Sequence, residues 1–183
     1  MKTLFLEKEL RYDGSQLCDH FAYRNFGLLG DSAVAFMGEC EVKLDAMVDL
    51  EDVRQSAPIY SEKMLHFIIE SFQLDLKGGV LLQRLFAAQI LESLRKRGVL
   101  NLRRSGDDLY LGDKKFSVSI ATRSTLSTLL HVGLNISSHK TPVATVGLND
   151  LGIEAKAFGE ECLQQLSQEY QNILEATYKV RGV

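Results

Sequence analysis

Apolar residues recur along the chain with two spacings, one typical of helices and one typical of strands. Over residues 79–97, leucine, isoleucine and phenylalanine return at helical spacing, which predicts an amphipathic helix. Basic residues fill its last turn and Gly98 follows, as expected where a helix ends. A second helix is predicted from about residue 155 to residue 178.

Shorter apolar stretches, several of them rich in β-branched residues, predict strands. They cover residues 3–10, 32–42, 99–103, 108–111, 116–121 and 128–135. Gly112 and Asp113 predict a short hairpin turn within this set. Residues 58–72 fit either a helix or a buried strand, because their apolar positions satisfy both spacings. The sequence therefore predicts a protein that mixes helices and strands.

Composition and charge are those of an ordinary globular protein. The 183 residues are 45% hydrophobic and 25% charged with a formal charge of −3, which predicts one domain over residues 1–183. This charge predicts no general attraction to nucleic acid or anionic lipid. The apolar runs are far shorter than the roughly 20 residues that cross a bilayer, and the N-terminus does not resemble a signal peptide. Three widely spaced cysteines favour a reducing, cytoplasmic setting.

One run of residues resembles a known family. Between residues 77 and 138 the chain has a long amphipathic helix, then Asp108-Leu-Tyr-Leu and Lys115 on a hairpin, then a strand that ends at Gly133-Leu-Asn135. This order resembles the catalytic domains of biotin and lipoate protein ligases, which share the fold of class II aminoacyl-tRNA synthetases. The resemblance extends more weakly over residues 33–72 and indicates a separate prokaryotic family within that superfamily.

The resemblance implies a fold and a set of site residues. The fold is expected to be α/β (α+β), with a mixed, largely antiparallel sheet and helices packed on one face. Lys115 matches the ligase lysine that contacts the acyl-adenylate, and Asp108 matches the aspartate of their Asn-Asp pair, so these two are the implied catalytic residues. A fixed cation on a strand stabilises negative charge that develops on acyl and phosphate oxygens. The residues expected to bind substrate are Arg104, Asn135, Gly133, Gly38 and Cys40.

The same resemblance implies a small carboxylic acid as substrate, an acyl-carrier protein as a further partner, and ATP with Mg²⁺ as cofactors. One region departs from the ligases, which carry a loop rich in glycine and arginine after their second strand. Here that region, residues 43–52, contains carboxylates: Asp45, Asp49, Glu51 and Asp52. Carboxylates repel phosphates unless a divalent metal lies between them. Three ligands stay open: an adenylate, a carrier-bound acyl group and a cationic molecule.

Other interpretations of these residues also stay open. Lys115 follows another hairpin lysine, and such lysines are usually exposed. The carboxylates of residues 43–52 are typical of a solvated loop, and Asp107 and Asp108 are typical turn residues. Cys40 is either a nucleophile, as in some acyltransferases of this fold, or a small buried hydrophobic residue.

The histidines and the set of function classes allow alternatives as well. His66 and Glu70 stand four residues apart, which is a weak metal signal. His131 lies within a strand and points either into the cleft or into the core, and the core position is the more typical one. No Cys/His cluster has zinc spacing, so no metal ligands are predicted. The main functional hypothesis is a ligase-like or acyl-transferring enzyme, and the alternative is a non-catalytic small-molecule-binding or regulatory domain. Nucleic acid is not expected as a partner, while a homodimer that pairs through sheet edges stays open.

Overall fold

The computed structural model describes residues 1–56, 59–139, 141 and 143–183, and within them the chain forms two sheets and four α-helices. The strands are β1 (Lys2–Phe5), β2 (Ser32–Val42), β3 (Ile59–Ser71), β4 (Leu102–Ser105), β5 (Asp108–Leu111), β6 (Lys114–Lys115), β7 (Ser117–Arg123) and β8 (Thr128–Asn135). The helices are α1 (Phe21–Phe26), α2 (Leu50–Gln55), α3 (Leu76–Lys96) and α4 (Ala155–Tyr178), with 3₁₀ turns at Leu44–Ala46 and Asn149–Leu151.

The larger sheet is mixed and largely antiparallel, which confirms the predicted fold class. Its strand order is β1-β2-β3-β8-β7, and β1 runs parallel to β2 while the other neighbours are antiparallel. The smaller sheet, β4-β5-β6, is antiparallel. Its β5–β6 hairpin turns at Gly112, whose φ of 59° lies in the left-handed region that glycine adopts without strain.

The two long helices pack on one face of the larger sheet. Helix α3 contacts β7 and β8, and α4 contacts β1 and β2. Side chains alternate along β3, so Leu65, Phe67 and Ile69 are buried beneath these helices, whereas Met64 and Ile68 belong to a second cluster on the opposite face. That opposite face, free of the long helices, is the one on which the candidate site lies.

Helix α3 begins earlier than the sequence predicts. The helix begins at Leu76 rather than at residue 79, because the Asp75 side chain accepts a hydrogen bond from the Gly78 backbone N–H at 2.6 Å and caps it. Gly79 is therefore a helical residue, and it packs directly against Thr128 of β8. The final helix begins and ends where the sequence predicts.

The ambiguous segment at residues 58–72 is the central strand β3. It pairs with β2 along one edge and β8 along the other, and its two faces lie in separate apolar clusters, so its apolar run shows no helical stripe. The first residue of that segment, Pro58, lies outside the described residues. Two edge strands have bounds that differ from prediction. Strand β1 ends at Phe5 rather than at residue 10, and β4 begins at Leu102 rather than at residue 99.

None of the helices in the described parts of the chain combines the length and the apolar character needed to span a membrane.

Candidate functional site

A cavity of about 370 Å³ lies on the sheet face that the long helices leave uncovered. Its floor comes from β3, β7 and β8, and its walls come from the small sheet, from residues 42–52 and from Thr141, Val143 and Thr145. Apolar side chains such as Met64 and Ile120 and polar side chains such as Asp108 and His131 both line it. This size and lining are typical of a site for a small molecule.

Lys115 and Asp108 form an ion pair on the cavity wall. The lysine Nζ lies 2.8 Å from the Asp108 Oδ2, and the same carboxylate oxygen accepts a hydrogen bond from the Tyr110 hydroxyl at 3.3 Å. The pairing of Tyr110 with Lys115 across β5 and β6 sets this arrangement. The backbone of Lys115 is fixed on its other side by hydrogen bonds with Ala144 and Val146, at 2.9 and 3.1 Å. A rigid hairpin thus holds the cation at the cavity.

Opposing effects act on the pKa of Lys115. Burial lowers it, but the hydrogen bond and the negative charge of Asp108 raise it, as do Tyr110 and Asp52, and the net pKa lies above its ordinary value. The ammonium is therefore protonated at neutral pH. Lys115 has three N–H donors and Asp108 is the partner of one; within the described residues no hydrogen-bond partner is seen for the other two, which can contact a ligand.

The acidic segment of residues 43–52 folds over the cavity. Asp49 caps α2 by accepting a hydrogen bond from the Glu51 backbone N–H at 2.8 Å, and both Asp49 and Asp52 line the cavity. Burial raises the pKa of Asp52, and Asp49 raises it further, whereas Lys115 lowers it. These carboxylates thus belong to the site and are more than a solvated loop.

Asp107 and Asn135 line the cavity near the ion pair and are held by hydrogen bonds to neighbouring elements. Asp107 Oδ2 accepts hydrogen bonds from Gln83 of α3 at 3.0 Å and from Ser119 of β7 at 2.9 Å. Asn135, which is buried, accepts a hydrogen bond from the Ser61 hydroxyl at 3.2 Å. Its amide also donates to the backbone carbonyl of Lys115 at 3.4 Å, which ties β8 to the hairpin.

Three residues predicted from sequence, Lys115, Asp108 and Asn135, therefore come together at the cavity. The other four do not line it. Arg104 is exposed and bonds to the backbone carbonyl of Gly106. Gly133 is enclosed on the sheet, where a Cβ would lie 2.9 Å from the Met64 methyl group.

Gly38 and Cys40 flank an irregularity in β2, away from the cavity lining. Gly38 packs against the backbone of Leu10 with no room for a side chain. Cys40 is fully buried, and burial, followed by the charge of Glu39, raises the pKa of its thiol to about 12. Such a thiol is a poor nucleophile at neutral pH, because the thiolate is the reactive form.

A buried aromatic cluster forms the part of the cavity floor that sequence reasoning missed. His66 and His131 join at 3.0 Å between Nδ1 and Nε2, and the Tyr12 ring stacks on His131 with centroids 3.7 Å apart. Tyr12 and His131 line the cavity. Glu70 does not pair with His66, because it accepts hydrogen bonds from the His20 backbone and the Ser127 hydroxyl instead.

The donor set gives no support for bound ATP or metal. The cavity is lined by four carboxylates, Asp49, Asp52, Asp107 and Asp108, and by one lysine, Lys115. Asp107 also pairs with Arg84 at 3.4 Å, but the lining remains negatively charged and does not fit a bare polyphosphate. Within the described ranges, no group of three or more His, Cys, Asp or Glu side chains is arranged to hold a metal ion.

Comparison with known proteins identifies relatives over nearly the whole chain. The sequence model of a family described as "Domain of unknown function (DUF366)" matches residues 1–181. An uncharacterised protein of Methanocaldococcus jannaschii is 38% identical over an alignment of 163 residues, which covers 84% of this chain and 72% of that protein. A solved structure of a protein of unknown function from Pyrococcus horikoshi is 40% identical, with a TM-score of 0.94, and covers 100% of this chain and 98% of its own.

More distant solved structures show the fold. A protein from T. acidophilum assigned as a lipoate protein ligase, with bound lipoic acid, has a TM-score of 0.62 at 15% identity and covers 94% of this chain and 86% of its own. The biotin protein ligase from Aquifex aeolicus, in complex with biotin and ATP, has a TM-score of 0.61 at 15% identity, with 95% and 72% covered. The biotin/lipoate ligase-like fold expected from the sequence is thereby confirmed.

Proposed function

This chain belongs to the DUF366 family, and we propose that it is an acyl-transferring enzyme that acts on a small carboxylic acid in its activated form. The observation that carries the proposal is the Lys115 ammonium, held 2.8 Å from Asp108 at the wall of a small-molecule-sized cavity. The distant structures that share the fold contain lipoic acid or biotin, and both ligands are small carboxylic acids.

Acyl transfer is favoured by positive charge next to the carbonyl oxygen of the acyl group. When a nucleophile attacks an activated acyl carbon, negative charge develops on the carbonyl oxygen, and a preorganised cation in a water-poor cavity stabilises it. Lys115 has free N–H donors for this oxygen, while Asp108 and the backbone of the hairpin hold it in place. Lys115 is the catalytic residue of the proposal, and Asp108 positions it.

The charge of the cavity favours an activated form without a polyphosphate. A thioester on a carrier protein has an uncharged reacting group and meets no repulsion from Asp49 or Asp52. In the proposed step an acceptor amine forms a bond to the acyl carbon and the bond from carbon to sulfur breaks. Asp52 takes the proton from the amine and passes it to the leaving thiolate. With Cys40 fully buried, transfer is direct and involves no acyl-cysteine.

A second function is favoured by one observation. The ion pair with Asp108 and the nearby Asp52 neutralise much of the Lys115 charge, which suits a non-catalytic domain that binds a small molecule and performs no chemistry. Turnover separates the two functions: a binding domain retains affinity for an acyl ligand but releases no free carrier thiol from an acyl-thioester in the presence of an amine.

The test is calorimetric binding of two probes to three proteins. The probes are a non-hydrolysable acyl-adenylate mimic, with and without Mg²⁺, and an octanoyl-pantetheine analogue in which the thioester is replaced by a ketone. The proteins are wild type, Lys115→Ala and Lys114→Ala, where Lys114 is the exposed neighbour on the same strand. We expect Lys115→Ala to bind the ketone analogue about tenfold more weakly and Lys114→Ala to bind it normally. Equal affinity in all three proteins would overturn the proposal.

A further inference from the structure

The hydrogen-bond directions within the buried histidine pair follow from one carbonyl group. His66 Nε2 lies 3.3 Å from the Gly38 carbonyl oxygen, and a carbonyl oxygen only accepts, so His66 Nε2 carries the hydrogen. Neutral His66 then has an unprotonated Nδ1, which accepts a hydrogen bond from His131 Nε2 at 3.0 Å. His131 therefore has its hydrogen on Nε2, and its Nδ1 presents a lone pair.

Burial keeps both rings neutral and leaves this lone pair without a protein partner. Burial lowers the pKa of His66 to about 3, and burial followed by the neighbouring His66 lowers the pKa of His131 well below its ordinary value. His131 is 3% exposed, and no donor from the described parts of the chain reaches its Nδ1. Among the described residues, His131 Nδ1 is not one of the fully buried side-chain atoms that lack a partner, so it is accessible from the cavity that His131 lines, where a ligand that donates to it gains a hydrogen bond.

His131 stands at the opposite end of the cavity floor from the lysine. It lies four residues before Asn135 on β8, a separation of about 13 Å along a strand. Asn135 bonds to the backbone of Lys115, so the lysine hairpin lies at the Asn135 end of this strand and His131 lies toward the other end. Met64, Val118 and Ile120 line the cavity between the two ends, which makes this path apolar.

We propose that the cavity selects medium-length carboxylic acids that carry an uncharged O–H or N–H donor at the end remote from the carboxyl group, and that His131 Nδ1 accepts this hydrogen bond. The inference rests on the proposed function, because it places the acyl carbon at Lys115. Stacking on Tyr12 and the bond to His66 hold the His131 ring in one orientation. The ring is thus a preorganised acceptor and determines specificity without taking part in the chemistry.

The experiment compares three acids of equal length: octanoate, ω-hydroxyoctanoate and ω-methoxyoctanoate. The hydroxyl donates a hydrogen bond, whereas the methoxy oxygen has no hydrogen to donate. Binding is measured by calorimetry for wild type, Lys115→Ala, His131→Phe and the control His139→Phe, which changes an exposed histidine outside the cavity. We expect wild type and His139→Phe to bind ω-hydroxyoctanoate about fivefold more tightly than either other acid, and His131→Phe to lose this preference.

A second measurement needs no variant and covers the case in which His131→Phe does not fold. Long-range ¹H–¹⁵N spectra of the wild-type histidines report which ring nitrogen is protonated. We expect His131 to carry its hydrogen on Nε2, and its Nδ1 resonance to shift when ω-hydroxyoctanoate is added but not when octanoate is added. A hydrogen on Nδ1 in the free protein would overturn the inference.

The outcomes separate the inference from the function on which it rests. If all three acids bind wild type equally and Lys115→Ala weakens them, the acyl site stands and the donor selectivity is wrong. If wild type binds none of the acids, the inference is wrong, while the proposed function is judged separately by binding of the ketone analogue to wild type and Lys115→Ala. If His131→Phe still prefers ω-hydroxyoctanoate, the hydroxyl donates its hydrogen bond to a residue other than His131. That result also overturns the inference.

Discussion

The helix-covered face and the cavity face of the larger sheet are formed by alternate residues of the same strands, yet they bury different chemistry. Beneath α3 and α4 the sheet presents apolar side chains that are almost completely buried, such as Phe67 and Leu65. On the other face it presents His66, His131 and Asn135, which are equally buried but polar. Burial of polar groups costs free energy unless they are hydrogen-bonded, and here His66, His131 and Asn135 have hydrogen-bond partners that offset this cost.

The comparison shows where substitutions should affect stability and where they should affect ligand binding. On the helix-covered face the side chains are closely packed, so a substitution that changes side-chain volume should change the free energy of unfolding. On the cavity face, the direction of hydrogen bonds and the charge of the side chains should determine how a substitution changes ligand binding. The predictions below test that division, starting with the largest expected effect.

Phe67→Ala should be the most destabilising of these changes. The side chain is fully buried and meets Phe86 of α3 edge to face, with ring centroids 5.1 Å apart. Its loss should lower the free energy of unfolding by about 3–5 kcal/mol, measured by urea denaturation. Leu81→Ala on the exposed side of α3 is the control and should cost less than about 1 kcal/mol. A similar cost for the two variants would contradict the packing described here.

Gly159→Ala should disturb the same face by adding volume. A Cβ at this position of α4 would lie 2.7 Å from a ring carbon of Phe5 and 3.0 Å from a methyl group of Leu65. The helix must then move away from the sheet, and we expect a loss of about 1–3 kcal/mol in thermal or urea unfolding. Gly182→Ala, where nothing lies within 4 Å, should leave stability unchanged.

The cavity face should make stability depend on pH. His66 and His131 have depressed pKa values in the folded protein, so the unfolded chain binds more protons below about pH 6.5. Their contribution to stability is present above that pH and is lost as the pH falls toward 3. Each should contribute a slope of up to about 1.4 kcal/mol per pH unit, measured between pH 6.5 and 5, where most carboxylates remain ionised.

The pH prediction has a matched control. His66→Phe should reduce the slope of unfolding free energy against pH over that window, whereas His139→Phe in an exposed loop should leave it unchanged. Equal slopes in wild type and His66→Phe would show that the buried pair is not the source of the dependence.

Among these changes, Asp52→Asn should have the smallest effect on stability and on ligand affinity, separate from the loss of the proton transfer proposed for Asp52. Removing one carboxylate near Lys115 reduces repulsion of anionic ligands, so the affinity for octanoate should rise a few-fold at low salt, with little change in stability. Asp45→Asn removes an exposed carboxylate of the same segment that does not line the cavity and should leave affinity unchanged. Calorimetry of both variants checks the difference.

Local sequence patterns predict much of the fold because each reports on a single element. The bounds of β2, β5, β8 and α4 follow from runs of apolar residues and turn signals, and the structure agrees with them. The predicted start of α3 was wrong. The spacing of apolar residues contains no information about the Asp75 cap or about the contact of Gly79 with Thr128. The motif order around Asp108, Lys115 and Asn135 indicates three residues that share one cavity.

Sequence patterns do not identify residues whose position at the cavity depends on a partner far away along the chain. His66 and His131 are 65 positions apart and look like ordinary core residues until the pairing of β3 with β8 joins them. Asp52 looks like a solvated carboxylate until α2 folds over the cavity beside Lys115. Periodicity and local motifs specify which elements form and which face of each is apolar. Strand register and loop closure, which depend on contacts between remote segments, specify which polar groups share the cavity, in which direction they donate, and what charge a ligand meets.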